Sequence, residues 1–199
     1  MSTIALNLET DTVVLPKPNL PSGVTLDQAL KSRSSSRAFL PDSLPLEILS
    51  GLLWAAFGLN RSGGRTAPSA HNWQEIDIFV VLPEGAYRYE AQGHRLLLVK
   101  AEDLRSVTGS QDFVAGTPLN LVYVADFARM PESKPEERSF LAGADAGCIA
   151  QNVYLYCAAA GLATVVRGLI DRSRLAAALG LTKTERITLA QSVGYPAAA

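Results

Sequence analysis

Two arginines enclose three serines at the segment Arg33-Ser34-Ser35-Ser36-Arg37. A guanidinium offers a planar fork of N–H donors and a serine offers a short hydroxyl donor, so the set suits a phosphate monoester. The segment is too short for a Walker-type phosphate loop and lacks its glycines. Taken alone, it reads equally as a polar serine-rich loop.

Two further segments carry donor sets. In Arg65-Thr-Ala-Pro-Ser-Ala-His-Asn-Trp-Gln74, Pro68 and Ser69 shape a turn. Asn72 and Gln74 each donate and accept, which matches the mixed edge of a heterocycle such as a flavin pyrimidine or a nucleobase. An ordinary strand-entry loop is the competing reading. Val165-Val166-Arg167-Gly168 closes an apolar run, where a glycine either lets backbone N–H approach a bound ring or serves a strand end. Cys148 and Cys157 fall in one expected helix, on opposite faces and roughly 13.5 Å apart along its axis, too far to pair. They read as small core residues. His71 and His94 have no Cys or carboxylate cluster between them, so no metal is expected.

The elements that must hold these segments follow from periodicity. Thr25 caps a helix over 26–32 that delivers the chain to Arg33. Pro45 suits the first turn of a second helix, with Leu46, Leu49, Leu52, Leu53 and Ala56 at helical spacing and Gly58 at its end. A loop over 59–73 leads to a strand over 75–82 in which Ile76, Ile78 and Val80 alternate. A hairpin follows, with arms 86–90 and 94–100 about Gln92-Gly93, then a central apolar strand over 119–125. Residues 129–138 read as a solvated loop. The helix over 142–160 is apolar on most sides and belongs in the middle of the fold, with Gly161 as its cap. Strands at 163–170 and 187–195 enclose a helix near 172–179. The expected fold class is α+β, a central sheet covered by helices.

The chain has 199 residues and 21.2 kDa, enough for one domain over 25–199 after an extended arm over 1–24. In the arm, Glu9, Asp11 and three prolines interrupt any signal-peptide pattern. About 70% of the chain's surface can be buried at this size. A hydrophobic fraction of 48%, a charged fraction of 19% and a mean hydropathy of +0.13 exclude a wholly disordered chain. Eighteen basic and nineteen acidic residues leave a net charge of −1, without the basic stripe of a nucleic-acid binder. The longest uncharged run, 146–166, contains Gly147, Gln151 and Asn152 and reads as a buried helix and strand. No membrane or nucleic-acid partner is expected, and the localisation is cytoplasmic.

Order and spacing add what no single segment carries. An Arg33-Ser34-Ser35-x-Arg37-x-Phe39 element after a short helix precedes a Pro68-Ser69-Ala70-x-Asn72-x-Gln74 loop. A long Ala/Gly helix and a strand ending in Gly168 follow. This arrangement resembles the nitroreductase family of FMN-dependent oxidoreductases. Leu15-Pro-Lys-Pro18, the run from Leu49 to Gly58, and Ala86-Tyr-Arg-Tyr89 resemble its SagB-type dehydrogenase branch, which includes azoline oxidases. The resemblance covers 15–196.

The resemblance implies a central mixed, mainly antiparallel sheet flanked by helices, in an intertwined homodimer with two FMN sites at the interface. Arg33, Ser34, Ser35 and Arg37 match the opening flavin element, in which one basic residue meets the phosphate and the later one lies near N1 and the C2 carbonyl. Pro68, Ser69, Ala70 and Asn72 match the loop that reaches the other subunit's flavin. Gly168, with Arg167 before it, matches the segment whose backbone N–H faces N5. The implied activity is transfer of electrons from NAD(P)H to a nitroaromatic, quinone or similar acceptor by a ping-pong cycle. The cofactor carries the chemistry, so no protein acid or base is nominated. Trp73 and Phe113 are candidates to line the aperture, with core packing as the alternative.

Three departures qualify this. Family members usually carry a basic residue after the terminal Gly-Tyr-Pro, where this chain has Ala197, so phosphate binding is expected to rest on Arg33 and Arg37. Arg167 stands where several members have an acidic or small residue, which bears on substrate charge. The Lys-Tyr pair that azoline oxidases use is missing. The alternatives are a flavin-binding module without turnover and a SagB-type dehydrogenase of a peptide-derived ring.

Overall fold

Period-two alternation builds the sheet. The structure, a computed structural model, describes residues 11–131 and 133–197. Its strands are β1 (Thr12–Val14), β4 (Ile76–Leu82), β5 (Gly85–Glu90), β6 (Arg95–Lys100), β7 (Leu119–Asp126), β8 (Ala163–Arg167) and β9 (Glu185–Gly194). They form one seven-stranded sheet in the order β1-β6-β5-β4-β7-β9-β8, and each pairing is antiparallel. A small separate hairpin joins β2 (Leu59–Arg61) and β3 (Gly64–Arg65).

Alternate residues face opposite cores. Ile76, Ile78 and Val80 of β4, with Leu121 and Tyr123 of β7, enter the larger core. Phe79 and Val81, with Val122 and Val124, enter the smaller one. The larger core is covered by α2 (Leu46–Phe57) and α3 (Pro135–Ala160), the smaller by α4 (Arg172–Leu179). Each fully buried Leu or Val contributes roughly 1.5–3 kcal/mol. Tyr123 is fully buried in the larger core, and its hydroxyl donates to Gln191 Oε1 at 2.6 Å. Gln191 Nε2 in turn donates to Thr164 Oγ1 at 3.0 Å, so the polar atoms between β7, β9 and β8 are satisfied.

The helices begin and end where their terminal residues dictate. Thr25 accepts from Gln28 N–H at the start of α1 (Leu26–Ser32), while Gln28 Oε1 accepts from Thr25 N–H at 2.8 Å. Gly161 closes α3 at φ 67, the left-handed conformation expected of a C-terminal glycine.

Four expectations are corrected. The helix expected to start at 142 starts at Pro135, whose fixed φ suits a first turn, with Glu136 and Glu137 favoured beside the helix N-terminus. The loop over 59–73 contains the β2–β3 hairpin and a 3₁₀ turn at Ala70–Asn72. The strand expected to reach 170 leaves the sheet after Arg167. Part of the arm forms β1, which pairs with β6, and its first ten residues lie outside the described residues. Among the described residues, no helix is long and apolar enough to cross a membrane.

Candidate functional site

Helix α1 ends by releasing its chain onto the edge of β8. Arg33 donates its N–H to Ala29 O and then adopts an extended ψ of 120°. Ser36 N–H bonds Thr164 O at 3.0 Å, which lays the serine segment beside β8. The phenol of Tyr154, on α3, fastens the register: it lies 2.8 Å from Ser35 Oγ and accepts from Val166 N–H at 3.0 Å. When Tyr154 donates to Ser35, the Ser35 hydroxyl hydrogen remains free for a ligand. The Arg33 guanidinium lies 5.4 Å from the Tyr154 ring centroid, a cation–π contact. Further on, Leu40 N–H bonds Tyr195 O, and Phe39 bridges to Pro196.

Arg33 is half-buried; Ser34, Ser35 and Arg37 are exposed. Among the described residues, no carboxylate lies within 4.0 Å of the Arg33 or Arg37 guanidinium. Two unpaired cations therefore flank a hydroxyl fixed from behind. That donor set fits a phosphate monoester and the electron-rich edge of a flavin.

The third segment meets the first. Val166 at the free edge of β8 spends its N–H on Tyr154, and Gly168 follows two residues on, just past the end of the strand. Gly168 is exposed, and Leu189 Cδ2 lies 4.0 Å from where a Cβ would stand. Leu189 also lines a cleft of about 440 Å³ together with Ser139, Gly143 and Arg172. Arg167 behaves differently from expectation. Its side chain is 4% exposed and turns into the smaller core's face of the sheet. There it donates to Thr108 O at 2.9 Å, Asn120 Oδ1 at 2.9 Å and Ser192 Oγ at 3.1 Å. Burial without a carboxylate partner lowers the guanidinium pKa to about 10. The expectation that this charge bears on substrate preference is corrected, because the charge is committed internally.

The second segment stands apart. Ala70 N–H donates to Asp145 Oδ2 on α3 at 2.8 Å, and Ser69 Oγ accepts from Gln74 N–H at 3.0 Å. Gln74 Oε1 accepts from Arg65 Nε, and both Gln74 Nε2 and Asn72 Nδ2 donate to Gly63 O. His71, Asn72 and Gln74 all take positive φ, near 50°, which these ties have to hold. Pro68, His71 and Asn72 are exposed. Asp145 and Tyr154 are nine residues apart on α3, roughly 13.5 Å along its axis and half a turn around it. One chain thus brings the first and third segments together and leaves the loop over 68–72 on the other side of the helix.

Trp73 is half-buried and stacks on His71 at 4.5 Å, and Phe113 packs 5.7 Å from Phe39. Cys148 is exposed and Cys157 buried, with burial pushing the Cys157 thiol pKa up. Among the described residues, no cluster of three His, Cys, Asp or Glu could hold a metal ion. Sequence reading missed Tyr154 and Asp145. The signal for Asp145 was available: it is the single charged residue in 142–160.

The sequence profile of the Nitroreductase family matches residues 30–195. A protein of Methanocaldococcus jannaschii, provisionally named a nitroreductase, is 29% identical over 169 residues, spanning 79% of this chain and 85% of that protein. A crystal structure from Ralstonia eutropha, given the same provisional name, is 47% identical with a TM-score of 0.91, covering 98% of this chain and 94% of the other. The Vibrio harveyi NADPH:FMN oxidoreductase, solved with NAD⁺, shares the fold: 19% identity, TM-score 0.66, 87% of this chain and 69% of that one.

Proposed function

The chain belongs to the nitroreductase family and is a flavin oxidoreductase in the general sense, and we propose that it uses FMN to pass electrons from NAD(P)H to a small acceptor such as a nitroaromatic or quinone. The observation that carries this reading is the pair of guanidiniums, Arg33 and Arg37, without a carboxylate partner among the described residues, flanking the Ser35 hydroxyl that Tyr154 pins to β8. Arg33, Ser34 and Ser35 would hold the phosphate, and Arg37 the electron-rich edge of the ring. Gly168, preceded by Arg167, would supply backbone contact where a side chain would obstruct the ring. FMN, when bound, supplies the hydride chemistry, alternating between donor and acceptor in a ping-pong cycle.

The chain's own residues bind and orient. Arginine suits this work because its charge persists at any working pH and its fork fixes direction. The loop carrying Pro68, Ser69, Ala70 and Asn72 lies too far around α3 to serve its own chain's site, which supports a homodimer in which it completes the partner's. The exposed side of α3 supports the same assembly: Phe140 is 75% exposed, followed by the exposed Ala144 and Cys148 at helical spacing. We place the enzyme in the cytoplasm, with no membrane or nucleic-acid partner.

The test is an absorption spectrum of the purified protein followed by anaerobic titration with NADH and with NADPH. A yellow protein that releases FMN and bleaches with either nucleotide supports the proposal. FMN that stays oxidised points to a binding module, and a colourless protein that FMN cannot reconstitute contradicts the cofactor assignment.

A further inference from the structure

Glu75 follows the loop over 68–74 directly and is fully buried, yet neither of its carboxyl oxygens accepts a hydrogen bond from any other described residue. Its neighbour across the packing is Asp145, 7% exposed, whose Oδ2 already accepts from Ala70 N–H at 2.8 Å. The two carboxyls stand within hydrogen-bonding reach of each other. Two acceptors facing each other in a dry site are satisfied only when one of them carries a proton.

The surrounding charges do not neutralise the pair. The nearest cation, Arg129, is committed to Asp77 at 2.7 and 3.1 Å, to Asp126 at 3.4 Å and to Gln74 O at 3.0 Å. Glu185 acts on Arg129 from β9. Arg65 is spent on Gln74 Oε1 and Phe57 O, with Tyr89 and Asp77 near it. Above Glu75, the backbone at His71, Asn72 and Gln74 holds positive φ. A loop under such strain keeps its shape only while its ties hold.

We propose that Glu75 keeps its proton and, with Asp145, acts as a latch that positions the loop over 68–74, so that loop order, and with it FMN affinity at the site the loop completes, falls as pH rises. Protonated Glu75 donates to Asp145, which in turn holds Ala70 N–H. Loss of the proton places two carboxylates side by side, and separating them pulls Asp145 from Ala70. The latch follows from the packing alone; its effect on FMN rests on the flavin reading of the site. Burial, reinforced by the Asp145 carboxyl and opposed by Glu75's own backbone N–H and by Arg129, pushes Glu75 up to about 7, which sets the pH window.

Amide hydrogen exchange at Ala70 in the purified protein, corrected for intrinsic pH dependence, tests this at pH 6 and pH 8. The ionised-to-protonated ratio rises a hundredfold over two pH units, so protection at Ala70 should fall by about tenfold or more. Glu75→Gln keeps a donor that cannot ionise and should change by less than about twofold across the same range. Asp145→Asn gives ionised Glu75 a donor while its carbonyl still accepts from Ala70, and should also be flat. It carries the test if the Gln variant does not fold. Wild-type protection that is equal at the two pH values, or a pH step that survives in the folded variants, overturns the latch. FMN titrations at the same pH values should follow the wild-type step. A step at Ala70 with no FMN binding at either pH would contradict the flavin reading and leave the latch standing.

Discussion

Ser35 and Tyr154 meet at 2.8 Å, and the same phenol accepts from Val166 N–H, so one side chain of α3 ties the segment after α1 to the edge of β8. The contact joins two parts of the chain 119 residues apart. It sets where Arg33 and Arg37 stand relative to Gly168, and hence the spacing of every donor assigned to the phosphate and ring.

Tyr154→Phe keeps the ring and removes the bridge. It leaves Val166 N–H without its partner, a loss of about 1–3 kcal/mol if water does not replace it. FMN affinity should fall about tenfold, since 1.4 kcal/mol is one decade. Urea denaturation and flavin titration of the same variant measure the two effects separately.

Arg167 and Gly109 should prove energetically coupled. A Cβ at Gly109 would stand 2.0 Å from Arg167 Nη1, so Gly109→Ala must displace the buried guanidinium, at about 1–3 kcal/mol. Arg167→Met abandons Asn120, Thr108 and Ser192 and should cost about 2–4 kcal/mol. In the double variant the alanine penalty should largely disappear, a coupling of at least about 1 kcal/mol in a denaturation cycle. Strict additivity would contradict the packing described.

His94 gives stability an acid limb. Pro16 O can only accept, so Ser50 donates to it at 2.5 Å; His94 Nε2 then donates to Ser50 and Nδ1 accepts from Tyr89. Burial lowers the His94 pKa below its ordinary value. The stabilisation is therefore complete above about pH 6.5 and is lost as pH falls through the lower folded value. Limited proteolysis at pH 7.5 and pH 5 should show the arm around Pro16 released in acid. Glu75 runs the other way: its raised pKa means stability lost as pH rises, so Glu75→Gln should flatten only the alkaline limb of a melting-temperature profile.

The sequence showed helices and central strands where local pattern and burial agree. Leu49, Leu52, Leu53 and Ala56 repeat at helical spacing because α2 has one buried side, and β4 alternates because its two faces meet different cores. Residues 129–138 misled because proline and charge mark both loops and helix starts, and only the chain beyond shows which. β1, β2 and β3 are three residues or fewer, too short for a period to register. The donors of the candidate site were visible by residue type. Their support was not, because Tyr154 looks like one more core aromatic until Ser35 and Val166 are seen against it. Likewise, that Arg167 turns inward depends on which face of β8 it occupies, and strand pairing decides that.

Arg33 and Arg37 as the phosphate and ring contacts are tested most directly by paired titrations with FMN and riboflavin. A charge-assisted hydrogen bond is worth about 1.5–3 kcal/mol, so Arg33→Ala should weaken FMN by about ten- to a hundredfold. Riboflavin, which lacks the phosphate, should bind that variant about as well as it binds the wild type. Arg37→Ala should weaken both flavins alike. Equal losses for FMN and riboflavin in Arg33→Ala would contradict the phosphate assignment and return the serine segment to an ordinary polar loop.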